Sequence, residues 1–143
     1  MGKLQQQITV LSSADELRLR LDKAEKILRF ETREAARDVL TTLHEAHRMA
    51  DALERDTPGL DLRPERARLS ALDERVLRYA HVLVKALGGP AAFEAFRTEL
   101  GGRPDEVWWQ LDAKIAADRR RLVRRLAIVG LVLVALGAAV WLA

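Results

Sequence analysis

An uncharged apolar run constrains this chain more than any other feature of the sequence. Residues 126–143, LAIVGLVLVALGAAVWLA, contain no hydrogen-bonding side chain except the indole of Trp141. As a helix the run covers about 27 Å, close to the hydrocarbon thickness of a bilayer. The remaining residues form too small a domain to cover such a helix on every side. The run therefore predicts a transmembrane anchor over residues 126–143.

Five arginines directly before this run predict its orientation. We call them the arginine collar: Arg119, Arg120, Arg121, Arg124 and Arg125. Because positive residues stay on the cytoplasmic side, we expect a single-pass, tail-anchored membrane protein with a cytoplasmic N-terminal domain and an outward C-terminus. The same arginines are expected to attract anionic lipid head groups. A chain that stops on apolar residues is also consistent with a fragment of a longer protein.

The basic character of the chain is confined to this region. Residues 114–125 carry a net charge of +5, whereas the whole chain of 143 residues carries +3, which leaves −2 for the other residues. The high isoelectric point is therefore no sign of a nucleic-acid-binding domain, and nucleic acid is not an expected partner of the N-terminal part.

The N-terminal two thirds of the chain has the pattern of packed helices. Ser13 and Glu16 form a capping-box sequence, and neither glycine nor proline follows before Pro58. Apolar and small residues from Leu17 to Leu53 recur at a mean spacing of 3.6, the period of a helix with one buried stripe. Residues 14–56 form either one long helix or two helices with a break near residues 30–33.

Proline and glycine mark the remaining helix boundaries. We expect one helix from Pro64 to Leu87, a short helix from Pro90, and a last helix running uninterrupted from Pro104 through the anchor. The predicted fold is all-α, a small antiparallel bundle of about four helices whose last helix continues into a C-terminal transmembrane helix. The predicted domains are an N-terminal extension (1–12), a cytoplasmic helical domain (13–113), a basic juxtamembrane stalk (114–125) and the anchor (126–143).

One cluster has metal-ligand side chains at helical spacing. His44, His47 and Asp51 share a helix face, but their spacing differs from that of zinc peptidases, so they are weak candidates for a metal site. The chain has no cysteine, no phosphate-binding glycine motif and no nucleophile motif. We therefore expect no enzyme, no cofactor and no small-molecule substrate.

Two further sets of residues have the composition of contact surfaces. Trp108 is expected in the core of the domain, whereas Trp109 points about 100° away and either shares that core at its edge or contacts a partner. Small residues along one side of the apolar run suit self-association or packing against other membrane helices, and anchoring without any helix contact is an equal alternative. These small residues are Ala127, Gly130, Gly137 and Ala138.

These features favour a non-enzymatic interaction or scaffold protein. The cytoplasmic helical domain would contact an unidentified protein partner or form a homo-oligomer. One alternative is an accessory subunit that stabilises a larger membrane complex or docks on its cytoplasmic face. The second alternative is a module that binds anionic lipid or nucleic acid through the arginine collar.

Overall fold

The computed structural model describes residues 2–27 and 32–142, and it describes side chains over 13–26 and 32–133. The described residues contain six α-helices and no strand, so the all-α prediction is confirmed, with six helices instead of about four. The chain divides into two compact units, Met1–Leu111 (unit 1) and Asp112–Ala143 (unit 2). The helices are α1 (Gly2–Ile27), α2 (Arg33–Asp56), α3 (Arg63–Arg78), α4 (Ala80–Leu87), α5 (Pro90–Glu99) and α6 (Leu111–Leu142), with a 3-10 turn at Val107–Trp109.

The first helical region consists of two helices. Thr32 is the N-cap of α2, since its backbone is extended and its hydroxyl oxygen accepts a hydrogen bond from the backbone N–H of Ala35 at 3.2 Å. The interpretation of residues 14–56 as two helices, rather than one long helix, is therefore confirmed. Leu28, a member of the predicted stripe, lies outside the described residues.

The start of α1 differs from the prediction. The helix begins at Gly2, so the capping-box sequence from Ser13 to Glu16 lies inside α1 and opens no helix. Residues 3–12 contain neither glycine nor proline, so nothing in the sequence stops the helix from extending toward the N-terminus.

Ion pairs show how the first three helices run. Arg20 of α1 pairs with Glu45 of α2, and Lys23 pairs with Asp38. The numbers rise along α1 while those of the partners fall along α2, so the two helices are antiparallel. In contrast, Arg18 and Arg68 join α1 to α3 in the parallel sense, through Glu65 and Asp22. The buried stripe of α1 consists of Ala14, Leu17, Leu21 and Ala24.

The predicted helix from Pro64 to Leu87 is interrupted at Tyr79. The backbone N–H of Tyr79 is shared between the carbonyls of Arg75 and Val76, at 3.2 and 3.1 Å, which ends α3. The chain then starts α4 at Ala80, and Ala80, Leu83, Val84 and Leu87 are buried. The break has no proline or glycine to announce it, which is why the sequence pattern predicts one helix.

Two glycines end helices as predicted. After α5, Gly101 has a φ of +70° and donates to the Thr98 carbonyl at 3.0 Å, while Gly102 donates to the Arg97 carbonyl at 2.9 Å. This pair of bonds is the Schellman motif, which requires a left-handed residue. Gly88 has the same role after α4.

The last helix starts later than predicted. Residues 104–106 form a turn, Val107–Trp109 is a 3-10 turn, and α6 begins at Leu111 rather than at Pro104. The guanidinium of Arg97 donates a hydrogen bond to the carbonyl of Trp109 at 3.0 Å. The Trp109 carbonyl thus accepts a hydrogen bond from a side chain, and α6 begins only after it, at Leu111.

The transmembrane prediction is corrected. Over the residues that the structure describes, no helix combines the length and the apolar character needed to cross a bilayer. The described apolar side chains of α6 run from Leu126 to Leu133, about 12 Å of helix, and the arginine collar precedes them. This finding contradicts the predicted single-pass topology with a cytoplasmic domain and an outward C-terminus. The side chains of residues 134–143, Trp141 among them, lie outside the described residues.

Candidate functional site

A buried cluster of rings joins the centre of α2 to the 3-10 turn. We call His44, His47, Asp73, Trp108 and Trp109 the His–Trp cluster. The indole Nε1 of Trp109 donates to Nδ1 of His44 at 3.3 Å, which requires the imidazole nitrogen to be unprotonated. His44 is 4% exposed and Trp109 is fully buried. The bond therefore lies out of contact with water.

His47 occupies the other half of the cluster. Its ring stacks on Trp108 with 3.6 Å between centroids and 11° between planes. Its Nε2 lies 2.9 Å from Oδ1 of Asp73 on α3, and both side chains are buried. Helical spacing within α2 gives no indication of this pairing, because Asp73 lies on another helix. This carboxylate now holds the imidazole in place.

Aromatic residues of α5 cover the outer side of Trp109. Phe93 and Phe96 lie with ring centroids 5.8 and 6.0 Å from the indole. Arg97 is buried, lies over the ring of Phe93 at 5.3 Å and is also paired with Glu94. The combination of apolar cover and internal pairing is typical of a protein core.

Burial lowers the pKa of His44 below its ordinary value of 6.5. The carboxylate of Glu106 and the carbonyl of Leu100 act in the opposite direction, while the charges of Arg48 and His47 lower the pKa further. Desolvation is the largest of these effects, as expected for an imidazole enclosed by rings. His44 is therefore held neutral, in the form that accepts the hydrogen bond from Trp109.

The proposed metal ligands do not come together. Asp51 is exposed and forms an ion pair with Arg66 at 2.5 Å, whereas His44 and His47 face the buried rings. Within the described residues, no group of three histidine or acidic side chains is arranged to hold a metal ion. The helical spacing correctly places the three residues near one another along α2. On α3, however, His47 and Asp51 have different partners, Asp73 and Arg66.

Trp109 is not a surface contact. Its side chain is fully buried, and a Cβ atom on Gly102 would lie only 2.6 Å from the indole Cε2. The backbone of Gly102 therefore covers the ring directly. Of the two predicted roles for Trp109, the contact with a partner is wrong and the core role is confirmed, at the centre rather than at the edge.

An open groove lies between α1 and α2 in unit 1. It encloses about 790 Å³, and we call it the charged groove. Leu19 lies in it with 68% of its surface exposed. Its lining residues are Glu16, Leu19, Arg20, Asp22, Lys23, Lys26, Asp38, Thr42 and Glu45.

Ion pairs cross the charged groove. Arg20 binds Glu16 at 3.0 Å and also Glu45 of α2, and Lys23 binds Asp38 at 2.9 Å. The hydrogen bond to the Glu16 carboxylate is the main cause that raises the pKa of Arg20. Both signs of charge therefore alternate along the groove around one exposed leucine.

In unit 2 the arginine collar is exposed on α6. Arg120 donates to the carbonyl of Ala116 at 3.3 Å, and none of the five arginines forms an ion pair with a described acidic side chain. Ala127 and Gly130 are exposed, and a Cβ on Gly130 would meet no atom within 4 Å. Gly137 and Ala138 lie in α6, but their surroundings are outside the described residues.

Comparison with protein-family models, with curated proteins and with solved structures finds no match for this chain.

Sequence reasoning missed the partners that hold the His–Trp cluster. Asp73 pairs with a residue 26 positions away, whereas Arg97 and Gly102 contact Trp109 from 12 and 7 positions before it. For Gly102 a signal existed, because a Gly-Gly pair after a helix requires only one glycine for the helix end. No sequence pattern predicts the charged groove, since its charged residues have the spacing of two separate solvent-exposed helix faces.

Proposed function

We propose that this chain is a non-enzymatic interaction module in which the charged groove of unit 1 binds a helical segment of a protein partner. The observation that carries the proposal is the groove itself, an open site of about 790 Å³ with an exposed leucine between charges of both signs. Amphipathic helices bind grooves of this kind by placing an apolar residue inside and polar residues along the rim.

The distribution of reactive side chains supports a binding role. His44, His47 and Asp73 are buried, and the charged groove lies elsewhere in unit 1. Carboxylates on the surface pair with arginines, as Glu54 does with Arg66. Acid–base catalysis needs titratable groups that reach a bound substrate, and the charged groove offers its charges as ion pairs instead.

The ion pairs across the groove suit a surface that exchanges partners. Exposed ion pairs contribute only about 0–1 kcal/mol each, so replacing Lys23–Asp38 by pairs with an incoming helix costs little. Leu19 supplies the apolar contact, because its exposed surface is removed from water on binding. The groove thus combines weak internal pairs with one uncovered anchor.

Site-specific photocrosslinking tests the proposal. p-Benzoylphenylalanine is placed at position 19 in cells that naturally express the chain, and at position 85, which is exposed on α4 outside the groove, as the matched control. We expect one defined protein adduct from position 19 and none from position 85. Mass spectrometry of the adduct distinguishes a second copy of the chain from another protein. Equal labelling from both positions, or none from position 19, would contradict the proposal.

A further inference from the structure

The described part of unit 2 combines two features that no single polar partner satisfies. The arginine collar is exposed at one end, and eight apolar or glycine residues, 126–133, follow it with every side chain exposed. Leu126, Ile128, Val129, Leu131, Val132 and Leu133 are between 50% and 74% exposed. Contiguous exposed apolar surface of this kind marks an interaction site.

The charge of the collar is not neutralised within the segment. Lys114 pairs with Asp118 at 3.1 Å, so the only acid of residues 114–125 is already bound to the lysine of that stretch. Residues 119–133 contain five arginines and no acidic residue. The partner of this segment is therefore anionic where it meets the collar.

The arrangement around the helix axis selects among anionic partners. At about 100° per residue, residues 126–133 point to all sides of the helix, so a groove on a protein covers only one side of them. A nucleic acid would neutralise the arginines and leave the apolar side chains in water. An anionic lipid surface satisfies both features, because phosphates meet the arginines and acyl chains surround the apolar residues.

We propose that residues 119–133 bind the surface of an anionic phospholipid bilayer, with the arginine collar at the phosphates and residues 126–133 in contact with the acyl chains. Arginine suits this position, since its flexible stem lies along apolar surface while the guanidinium reaches the phosphate oxygens.

Vesicle flotation of the full chain tests this proposal. The probes are vesicles of phosphatidylcholine alone and vesicles of phosphatidylcholine with phosphatidylglycerol, at low (~0.1 M) and high (~1 M) salt. We expect flotation with the phosphatidylglycerol vesicles at low salt and weaker flotation with phosphatidylcholine alone. High salt should weaken binding because it screens the attraction between arginine and phosphate.

Three variants separate the contributions. Glutamine at all five collar positions should lower the partition constant by at least ~100-fold, and serine at Leu126, Val129 and Leu133 should weaken binding at both salt concentrations. The charge control places five glutamines in unit 1 and should bind as the unchanged chain does. Its substitutions, all at exposed positions, are Arg48→Gln, Arg55→Gln, Arg75→Gln, Arg78→Gln and Lys85→Gln.

Several results would overturn the proposal. These are unchanged flotation of the collar variant, an equal loss in the unit 1 control, and binding to a single-stranded RNA oligonucleotide without flotation. Circular dichroism of each variant confirms that helix content is retained, so loss of binding reports the contact rather than unfolding.

Discussion

The indole nitrogen of Trp109 donates a hydrogen bond to Nδ1 of His44 across 3.3 Å, although 65 residues separate the two in the chain. This bond joins the 3-10 turn to the centre of α2 and is fully enclosed by aromatic rings. A buried acceptor that loses its donor costs more than an exposed one, because water cannot replace the bond. The stability of unit 1 should depend on this contact.

Replacing Trp109 by phenylalanine tests that dependence. Trp109→Phe removes the donor and part of the buried ring, so we expect a loss of about 2–4 kcal/mol in the free energy of unfolding. Trp108→Phe is the matched control, because the indole nitrogen of Trp108 forms no hydrogen bond in the described part of the chain. Urea unfolding followed by circular dichroism measures both, and equal losses would show that the bond to His44 contributes nothing.

Gly102 should tolerate no side chain. A Cβ atom there would lie 2.6 Å from Cε2 and 2.9 Å from Cδ1 of Trp109, so Gly102→Ala forces the buried indole to move. We expect a loss of about 1–3 kcal/mol, as for other overpacked cores. Gly130→Ala meets no atom within 4 Å and favours helix by about 1 kcal/mol. Thermal unfolding that ranks the two substitutions in the opposite order would contradict the packing described here.

Acidification should weaken unit 1 through His44. Its pKa is lowered in the folded chain, mainly by burial, so on acidification the unfolded chain binds this proton first. The contribution of His44 to the free energy of unfolding is therefore fully present above pH ~6.5. It is lost as the pH falls below that value, by at most ~1.4 kcal/mol per pH unit. Urea midpoints measured between pH ~7 and pH ~5 test this.

A non-titrating variant isolates the contribution of His44. His44→Asn keeps an acceptor oxygen near the position of Nδ1, so its stability should change less between the two pH values than that of the unchanged chain. His81→Asn alters an exposed histidine and should leave the pH dependence as it was. An unchanged pH dependence in the His44 variant would assign the effect to other groups.

The buried pair of His47 and Asp73 should be strongly coupled. A double-mutant cycle with His47→Gln and Asp73→Asn should give a coupling energy of about 1–3 kcal/mol, because both side chains are buried. Arg63 and Asp61 form the matched exposed pair at 2.8 Å. The pKa of Asp61 is lowered to about 2, mainly by its hydrogen bonds from Arg63, yet solvent screening should make that coupling weaker than the coupling of the buried pair. A larger coupling for the exposed pair would contradict the assignment.

Much of the helical architecture was accessible from the sequence because its signals are local. The spacing from Leu17 to Leu53 predicts most of the buried residues of α1 and α2, although Thr32 in that pattern is the exposed N-cap of α2. Gly88 and Gly101 end their helices as expected. The break at Tyr79 and the start of α6 at Leu111 were missed. The break at Tyr79 has no proline or glycine to indicate it, and the start of α6 follows a hydrogen bond from Arg97 to the Trp109 carbonyl that helical spacing does not predict.

The candidate sites were less accessible for the same reason. Helical periodicity correctly puts His44 and His47 on neighbouring positions of one helix, but it cannot show that Trp108, Trp109 and Asp73 come from other elements to bind them. The charged groove exists only because Arg20 of α1 and Glu45 of α2 face each other. Side chains that face one another across two helices leave no pattern within either helix.

The occupied state of the charged groove can be measured by thiol protection. The chain contains no cysteine, so Leu19→Cys introduces a single thiol inside the groove and Lys85→Cys introduces one outside it. Maleimide labelling is compared between the purified chain and the cells that naturally express it. We expect the thiol of Leu19→Cys to react much more slowly in cells than in the purified chain, while that of Lys85→Cys reacts at the same rate in both. If the thiol of Leu19→Cys reacts equally fast in both, the groove is unoccupied and the chain does not bind a partner there.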